Sequence, residues 1–418
     1  MEAGFGWKDI TPPLGIRLGG YGHRLGKPSQ AIHDRLAVKA IALSAGSEEA
    51  VIVGADVLGV YKFFAEGVKE AIRKKTGIGK NGVFFTTTHT HSGPETIVPM
   101  WPNTFPYDED ERSMLDRWMA SFKEKSVEAA VEALANLSKA SASYKTVDLP
   151  GLAVNRSYPD GPTDPALSIL SFDGAGRQIL MNYACHPVNN VDFGISADYP
   201  GEASARLAER GIRSVFTTGA SGNVNPVKVD REFIPKLGGD LANAALGSIA
   251  DGAPLPSKSL KVESGKMEVK LRPGPDRAEA EERFREAYDA CKDNLQDSEC
   301  MVRLIYADEE YEISKDGRTA AETVLQAFAI DGEVAFISIP GELFVEIGLR
   351  IKDAARRLGY RGAIVAAYSE DYVGYIPVRK AFDLGTYEAR LARWSRVTEE
   401  AGEQVYAESV EMLKRLRE

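Results

Sequence analysis

Apolar positions in this chain fall into short runs separated by polar turns, and their spacing assigns the elements. Leu36–Leu43 (LAVKAIAL) and Ala50–Val57 (AVIVGADV) are strand-length runs split by the polar stretch SAGSEE, the pattern of a β-hairpin. A helix should follow, with Phe63, Val68 and Ile72 on one face, Lys69, Glu70, Lys74 and Lys75 mostly off it, and Gly77 and Gly79 closing it. Gly82–Thr88 (GVFFTTT) is β-branched and aromatic and reads as a strand running into THTHSGP. Ile97–Tyr107 carries three prolines, so no regular element fits it. Helices are expected over about 109–137 and 276–293, and several strands with one helix between Pro150 and Gly219–Pro226. Val334–Ile339 reads as a strand followed by Pro340–Gly341–Glu342 and a helix through Leu358; Ala363–Tyr368 is another strand, and an amphipathic helix is expected from about Tyr387 onward. Strands and helices alternate without a clean repeat, and no Pro/Gly/Ser linker divides the chain. The expected fold is α/β, one body over residues 1–418 with a central mixed β-sheet flanked by helices. The charged stretch 254–320 reads as a peripheral excursion.

Composition narrows the function classes. The chain has 418 residues, 44% hydrophobic and 27% charged, which excludes a disordered or collagen-like polymer. Its net charge of −10 argues against nucleic acid as a partner, because phosphate binding needs clustered Lys and Arg. Three cysteines make no disulfide framework, although Cys291 and Cys300 are close enough in sequence to pair. No apolar run approaches the roughly 20 residues of a membrane span, and the N-terminus lacks the basic and apolar regions of a signal peptide. The default expectation is a cytoplasmic protein, or a secreted one from which a leader has been removed, acting on a small molecule.

With only five histidines, their placement carries information. His89 and His91 lie two apart where a strand ends, so their imidazoles share a face; strand ends are where open α/β sheets bind ligands. Imidazole is a common metal ligand, but two histidines satisfied within a polar loop would give the same spacing. His186 ends a second apolar run, ILMNYACH, and Pro187 terminates it, while Cys185 points to the opposite face. Glu342 follows a buried-looking strand and a Pro–Gly turn and opens a helix, where the dipole alone could account for it. Asp56 ends an apolar strand and Asp198 sits in a turn; each could be catalytic or a cap. Gly219–Pro226 (GASGNVNP) suits a turn with exposed amides, but Ser221 lies one residue short of the GxSxG spacing of a nucleophile elbow.

These segments, taken in order, resemble the catalytic N-terminal domain of the neutral/alkaline (non-lysosomal) ceramidase family. The resemblance rests on GFGWKDITPP, Gly20–Tyr21, Ile32–His33, Asp56, THTHSGP, Asn155–Arg156–Ser157, His186–Pro187, SADYPGEA, GNVNP, Pro340–Gly341–Glu342 and DYVGYIP. It implies one Zn²⁺ per chain held by His89, His186, Glu342 and Tyr375, with Tyr372 three residues away as the other choice for the phenol. It also implies that His91 and Arg156 steady the scissile carbonyl. The chain departs from the pattern at Asn225, where a serine once proposed as a nucleophile would stand, and Asn forms no acyl-enzyme. A family C-terminal immunoglobulin-like domain is expected to be absent, and the YEG-type sequence survives only as Thr386–Tyr387–Glu388–Ala389.

The expectation is therefore a zinc-dependent hydrolase in which metal-activated water attacks an amide (N-acyl) bond, ceramidase-like but on a substrate other than ceramide. Asp56 and Asp198 are the candidates for proton transfer. Asn225, Trp101 and Tyr107 are the candidates for substrate contact, Met100 and Phe105 adding to an apolar wall. Hydrolysis of an ester or a carbohydrate derivative, or a non-catalytic homologue binding a small molecule, are the alternatives. Oligomeric state is not legible.

Overall fold

The apolar runs build the same strand pattern three times. In the computed structural model, which describes residues 1–249 and 251–418, Glu2–Asp9, Ala37–Ala45 and Glu48–Ala55 pair antiparallel in that order. Val83–Thr87 then adds parallel to the third strand after the crossover helix Lys62–Thr76. Ser141–Asp148, Ala166–Asp173, Arg177–Tyr183 and Arg213–Thr218 repeat the arrangement with the helix Asp198–Ala208. Leu260–Lys270, Ala320–Ile330, Val334–Ser338 and Gly362–Ala366 repeat it again with the helix Val345–Arg357. A further helix follows each fourth strand and packs on the crossover helix: Glu109–Ala135, Ile234–Ile249 and Ala401–Arg415.

This layering explains the apolar runs. The inner faces of the three sheets share one core, in which Ile41, Phe84, Leu170, Phe172, Leu180, Phe328, Phe336 and Ile364 meet. Their outer faces are covered by the helix pairs. Strands buried on both faces carry continuous apolar sequence rather than alternation. The α/β class with mixed sheets and flanking helices is as expected, the mixed pairing being shared among three sheets.

The three fourth strands end against one another. Thr87 N–H donates to Tyr368 O at 3.1 Å, Ala367 N–H donates to Thr218 O at 2.9 Å, and the Thr218 hydroxyl donates to Thr88 O at 2.6 Å. These bonds close a ring and bring three segments far apart in sequence to one point.

Several local expectations are corrected. Phe63 is 75% exposed, while Val68 and Ile72 are buried, because the helix starts at Lys62 and turns Phe63 outward. Residues 254–320 contain the edge strand Leu260–Lys270 and a pair of helices, Arg277–Cys291 and Ser298–Ser314, joined by a Cys291–Cys300 disulfide. Residues 387–400 are largely irregular; the last helix begins only at Ala401. Glu342 lies three residues before its helix, in a two-residue strand, Glu342–Leu343, so a helix dipole does not account for it. The long helix has the expected N-terminus, a capping box between Asp108 and Glu111. Among the described residues no helix is long and apolar enough to cross a membrane.

A buried ion pair joins the first and third sheets. Lys69, on the first crossover helix, meets Glu370, just past the last inner strand; both side chains are almost fully buried. Removing one partner of such a pair leaves an uncompensated charge, at a cost of about 3–5 kcal/mol. Lys69→Met should lower the urea unfolding free energy by about that amount. Lys69→Met combined with Glu370→Leu should recover most of it. A single variant as stable as the parent would contradict this role.

Candidate metal centre

The ends of the inner strands deliver the site. His89 lies two residues past the strand Val83–Thr87, its N–H bonded to Val57 O at 3.0 Å. His89 adopts a left-handed φ of 64°, an uncommon conformation for a residue with a Cβ, which turns its ring away from the strand path. His91 is tied to the second segment by its N–H to Pro187 O at 3.3 Å, and His186 by its N–H to Val224 O at 3.0 Å. Glu342 pairs in parallel register with Tyr375. Gly20, at φ 91°, passes so close to His91 that a Cβ there would lie 2.4 Å from Nδ1.

A neutral imidazole carries one proton, and in His89 and His186 its position is fixed. Each Nδ1 lies 2.6 Å from a backbone carbonyl, Leu58 O and Ser221 O respectively. Each therefore donates from Nδ1 and leaves a lone pair on Nε2. Those Nε2 atoms face the same carboxylate oxygen, Glu342 Oε2, at 3.4 and 3.0 Å. His91 Nε2 lies 3.2 Å from His89 Nε2. Acceptors held this close in a buried site repel one another unless positive charge lies among them. Neutral imidazoles and a carboxylate are the donor set of a divalent cation such as zinc. His89, His91 and His186 each offer a ligand nitrogen within 4.8 Å of the others. His91 Nδ1 is buried with no hydrogen-bond partner among the described residues. The donor set thus fits a metal ion.

Charge within the cluster follows from burial and neighbours. Burial, then the Arg156 guanidinium, takes the His186 imidazole down to about 4. His186 is therefore neutral at physiological pH, as a ligand must be.

Arg156 leaves the short strand Ala153–Asn155 and enters the site beside Tyr375. Its Nη2 donates to the Tyr375 hydroxyl at 2.8 Å and to Gly222 O at 2.9 Å, its Nη1 to Asn225 Oδ1 at 3.0 Å, and its Nε pairs with Glu388 at 2.9 Å. Tyr372 donates instead to Glu342 Oε1 at 2.6 Å. The two phenols thus divide: Tyr372 bonds the carboxylate, and Tyr375 lies against a cation. A cavity of about 40 Å³ adjoins His89, His91 and Glu342, walled by Ile97, Met100, Tyr375, Tyr387 and Trp394.

Other expected site residues lie elsewhere. Asp56 accepts from Ala37 N–H at 3.0 Å and braces the first hairpin. Asp198 begins a helix and accepts from the N–H groups of Asn190 and Tyr199 at 2.9 and 2.7 Å. Neither borders the cavity. The Trp101 indole donates to Gly22 O at 2.8 Å and packs against Cys291, Leu295 and Leu304, leaving Met100 to face the cavity. The Tyr107 hydroxyl donates to Glu95 at 2.6 Å, away from the cluster. Asn225 meets Arg156, which it orients. Residue-by-residue reading missed Tyr368, which stacks on His89, and Glu388, the partner of Arg156. Tyr368 carries no local signal; Glu388 lies within the TYEA segment.

Both the sequence and the fold have counterparts among known proteins. The sequence profile described as neutral/alkaline non-lysosomal ceramidase, N-terminal, matches residues 1–215. The fold is similar to that of neutral ceramidase from Pseudomonas aeruginosa, with a TM-score of 0.77 and 19% identity over 100% of this chain and 74% of that one. It is equally similar to a ceramidase complexed with C2, with a TM-score of 0.77 and 18% identity over 100% of this chain and 75% of that one. A search of curated proteins finds no match.

Asp198 gives the site region a pH signature. Burial pushes its carboxyl up to about 7, although the N–H groups of Asn190 and Tyr199 favour the charged form. The unfolded value is about 3.9. A carboxyl raised in the folded state contributes stability that is complete below about pH 4 and lost as pH rises through about 7. In unfolding titrations, wild-type stability relative to Asp198→Asn should fall between pH 4 and 8. A difference that does not vary with pH would contradict the assignment.

Proposed function

Because the chain belongs to the neutral/alkaline non-lysosomal ceramidase family, we propose that it is a zinc-dependent hydrolase of an amide (N-acyl) bond. The observation that carries the reading is the meeting of Glu342 Oε2 with two imidazole nitrogens whose rings are each tied through Nδ1 to a backbone carbonyl. His89, His186 and Glu342 hold one zinc ion per chain. Tyr375 is the fourth ligand in place of Tyr372, whose hydroxyl is already bonded to Glu342 Oε1; burial raises the Tyr375 phenol well above its usual range, and the bound cation would offset that. When bound, zinc polarises an amide carbonyl and lowers the pKa of a water molecule to about 7.

The chain's own residues supply the rest. Arg156, held by Asn225, Gly222 and Glu388, presents a fixed positive charge beside Tyr375, where an oxyanion gains most from it. His91 borders the same cavity and steadies the carbonyl oxygen from a second side through a ring N–H. Ile97, Met100, Tyr387 and Trp394 give the cavity beside the scissile bond an apolar wall. Asn225 in the position of a family serine supports an N-acyl substrate other than ceramide.

Protein purified without added metal should contain about one zinc per chain, and His89→Ala should lose both zinc and N-acyl hydrolysis. A screen of N-acyl, ester and glycosidic chromogenic substrates should show turnover of the first class. A zinc-free His89→Ala enzyme of full activity, or turnover of esters or glycosides alone, would overturn the reading. Arg156→Met should retain zinc and lower kcat by about 10²–10³-fold, the loss typical of one oxyanion donor. Unchanged kcat would remove Arg156 from the mechanism.

A further inference from the structure

One buried side chain outside the metal set touches all three segments that supply it. The Tyr368 ring stacks on the His89 imidazole with centroids 3.9 Å apart and planes 19° apart. Its hydroxyl lies 2.9 Å from Ser221 Oγ, and the Ser221 carbonyl accepts the Nδ1–H of His186. Its own N–H donates to Gly341 O at 3.1 Å, next to Glu342, and its carbonyl accepts from Thr87 N–H, two residues before His89. Tyr368 is 1% exposed and holds a left-handed φ of 55°. A residue with a Cβ keeps that conformation only where its surroundings impose it.

Packing alone would not need the hydroxyl, since phenylalanine fills nearly the same space. The hydroxyl and Ser221 Oγ are each other's partners in a site otherwise closed to water, and through them the plane of His89 is coupled to the segment that orients His186. We propose that Tyr368 and Ser221 act together as positioning residues that set the relative orientation of the two imidazoles, and so the direction in which their Nε2 atoms converge. The proposal rests on the metal-site reading above. Partners of this kind, one layer out from the ligands, typically change metal affinity by about 10–100-fold.

The test uses the full chain, with Zn²⁺ and Co²⁺ as probes. Tyr368→Phe keeps the stack and breaks the link; Ser221→Ala breaks it from the other side. Each should weaken Zn²⁺ binding about tenfold in chelator competition, alter the visible d–d bands of the Co²⁺-substituted protein, and lower kcat with KM unchanged. Because the two residues act as one link, the double variant should be no worse than either single one. Wild-type zinc affinity and an unaltered Co²⁺ spectrum in both single variants would overturn the proposal, whatever their thermal stability. If the wild-type protein itself binds neither ion, the metal-site reading fails instead, so the two failures are distinguishable.

Discussion

A carboxylate oxygen held against two imidazole lone pairs is repelled by both, and the rest of the structure is arranged around keeping it there. Glu342 Oε2, His89 Nε2 and His186 Nε2 are all acceptors because Leu58 O and Ser221 O fix the protons on the far sides of the rings. The surrounding protein must restrain these groups, since the chain could relieve the repulsion by turning any one of them away. The restraint comes from backbone bonds that tie each segment to another: His91 to Pro187, His186 to Val224, Glu342 to Gly374. A divalent cation bound there would convert the repulsion into attraction. A site already held in place spends less of its binding free energy on ordering its ligands.

The threefold strand pattern explains why three distant segments meet. Each parallel pair ends where its inner strands turn outward, and the closed set of bonds among Thr87, Thr88, Thr218, Ala367 and Tyr368 forces the three ends together. Matching positions then contribute to one site. His186 and Glu342 follow the third strands of their sheets, whereas His89 and Tyr368 follow the fourth strands. Ligands bind outside the carboxyl ends of strands in open sheets because chain direction changes there and backbone groups are left to be filled. Here three such openings coincide.

Much of this was legible from sequence, and the losses have physical causes. Periodicity located the first hairpin, the long capped helix and the strands around Pro340–Gly341–Glu342, because burial on one or both faces imposes itself on every residue of an element. The candidate ligands His89, His186 and Glu342 stood out because each follows an apolar run and sits at a break in regular structure. The threefold pattern was hidden because doubly buried strands require only apolar bulk, which many sequences satisfy without resembling each other. The role of Tyr368 was hidden because its contacts lie 281 residues away at Thr87 and 147 away at Ser221. Asp56 and Asp198 were read as chemical groups because they end or begin elements. That same location lets them accept backbone N–H groups, as both do here.

The proline-rich segment shows how a peripheral element reaches the site without supplying a reacting group. Trp101 is anchored by its indole N–H to Gly22 O and by packing on the helix pair closed by Cys291–Cys300. Asn103 and Thr104 bond Asp308 on the same helices, and Glu309 pairs with Arg393, one residue before Trp394. Met100 and Trp394, which wall the cavity, are thus positioned from opposite sides by one inserted helix pair. That pair lies outside the strand pattern shared by the three sheets. The strand ends converge without it, so the cavity wall and the cluster of His89, His186 and Glu342 are built by different elements. The wall of the cavity and the cluster at its base are in this way carried by separable parts of the fold.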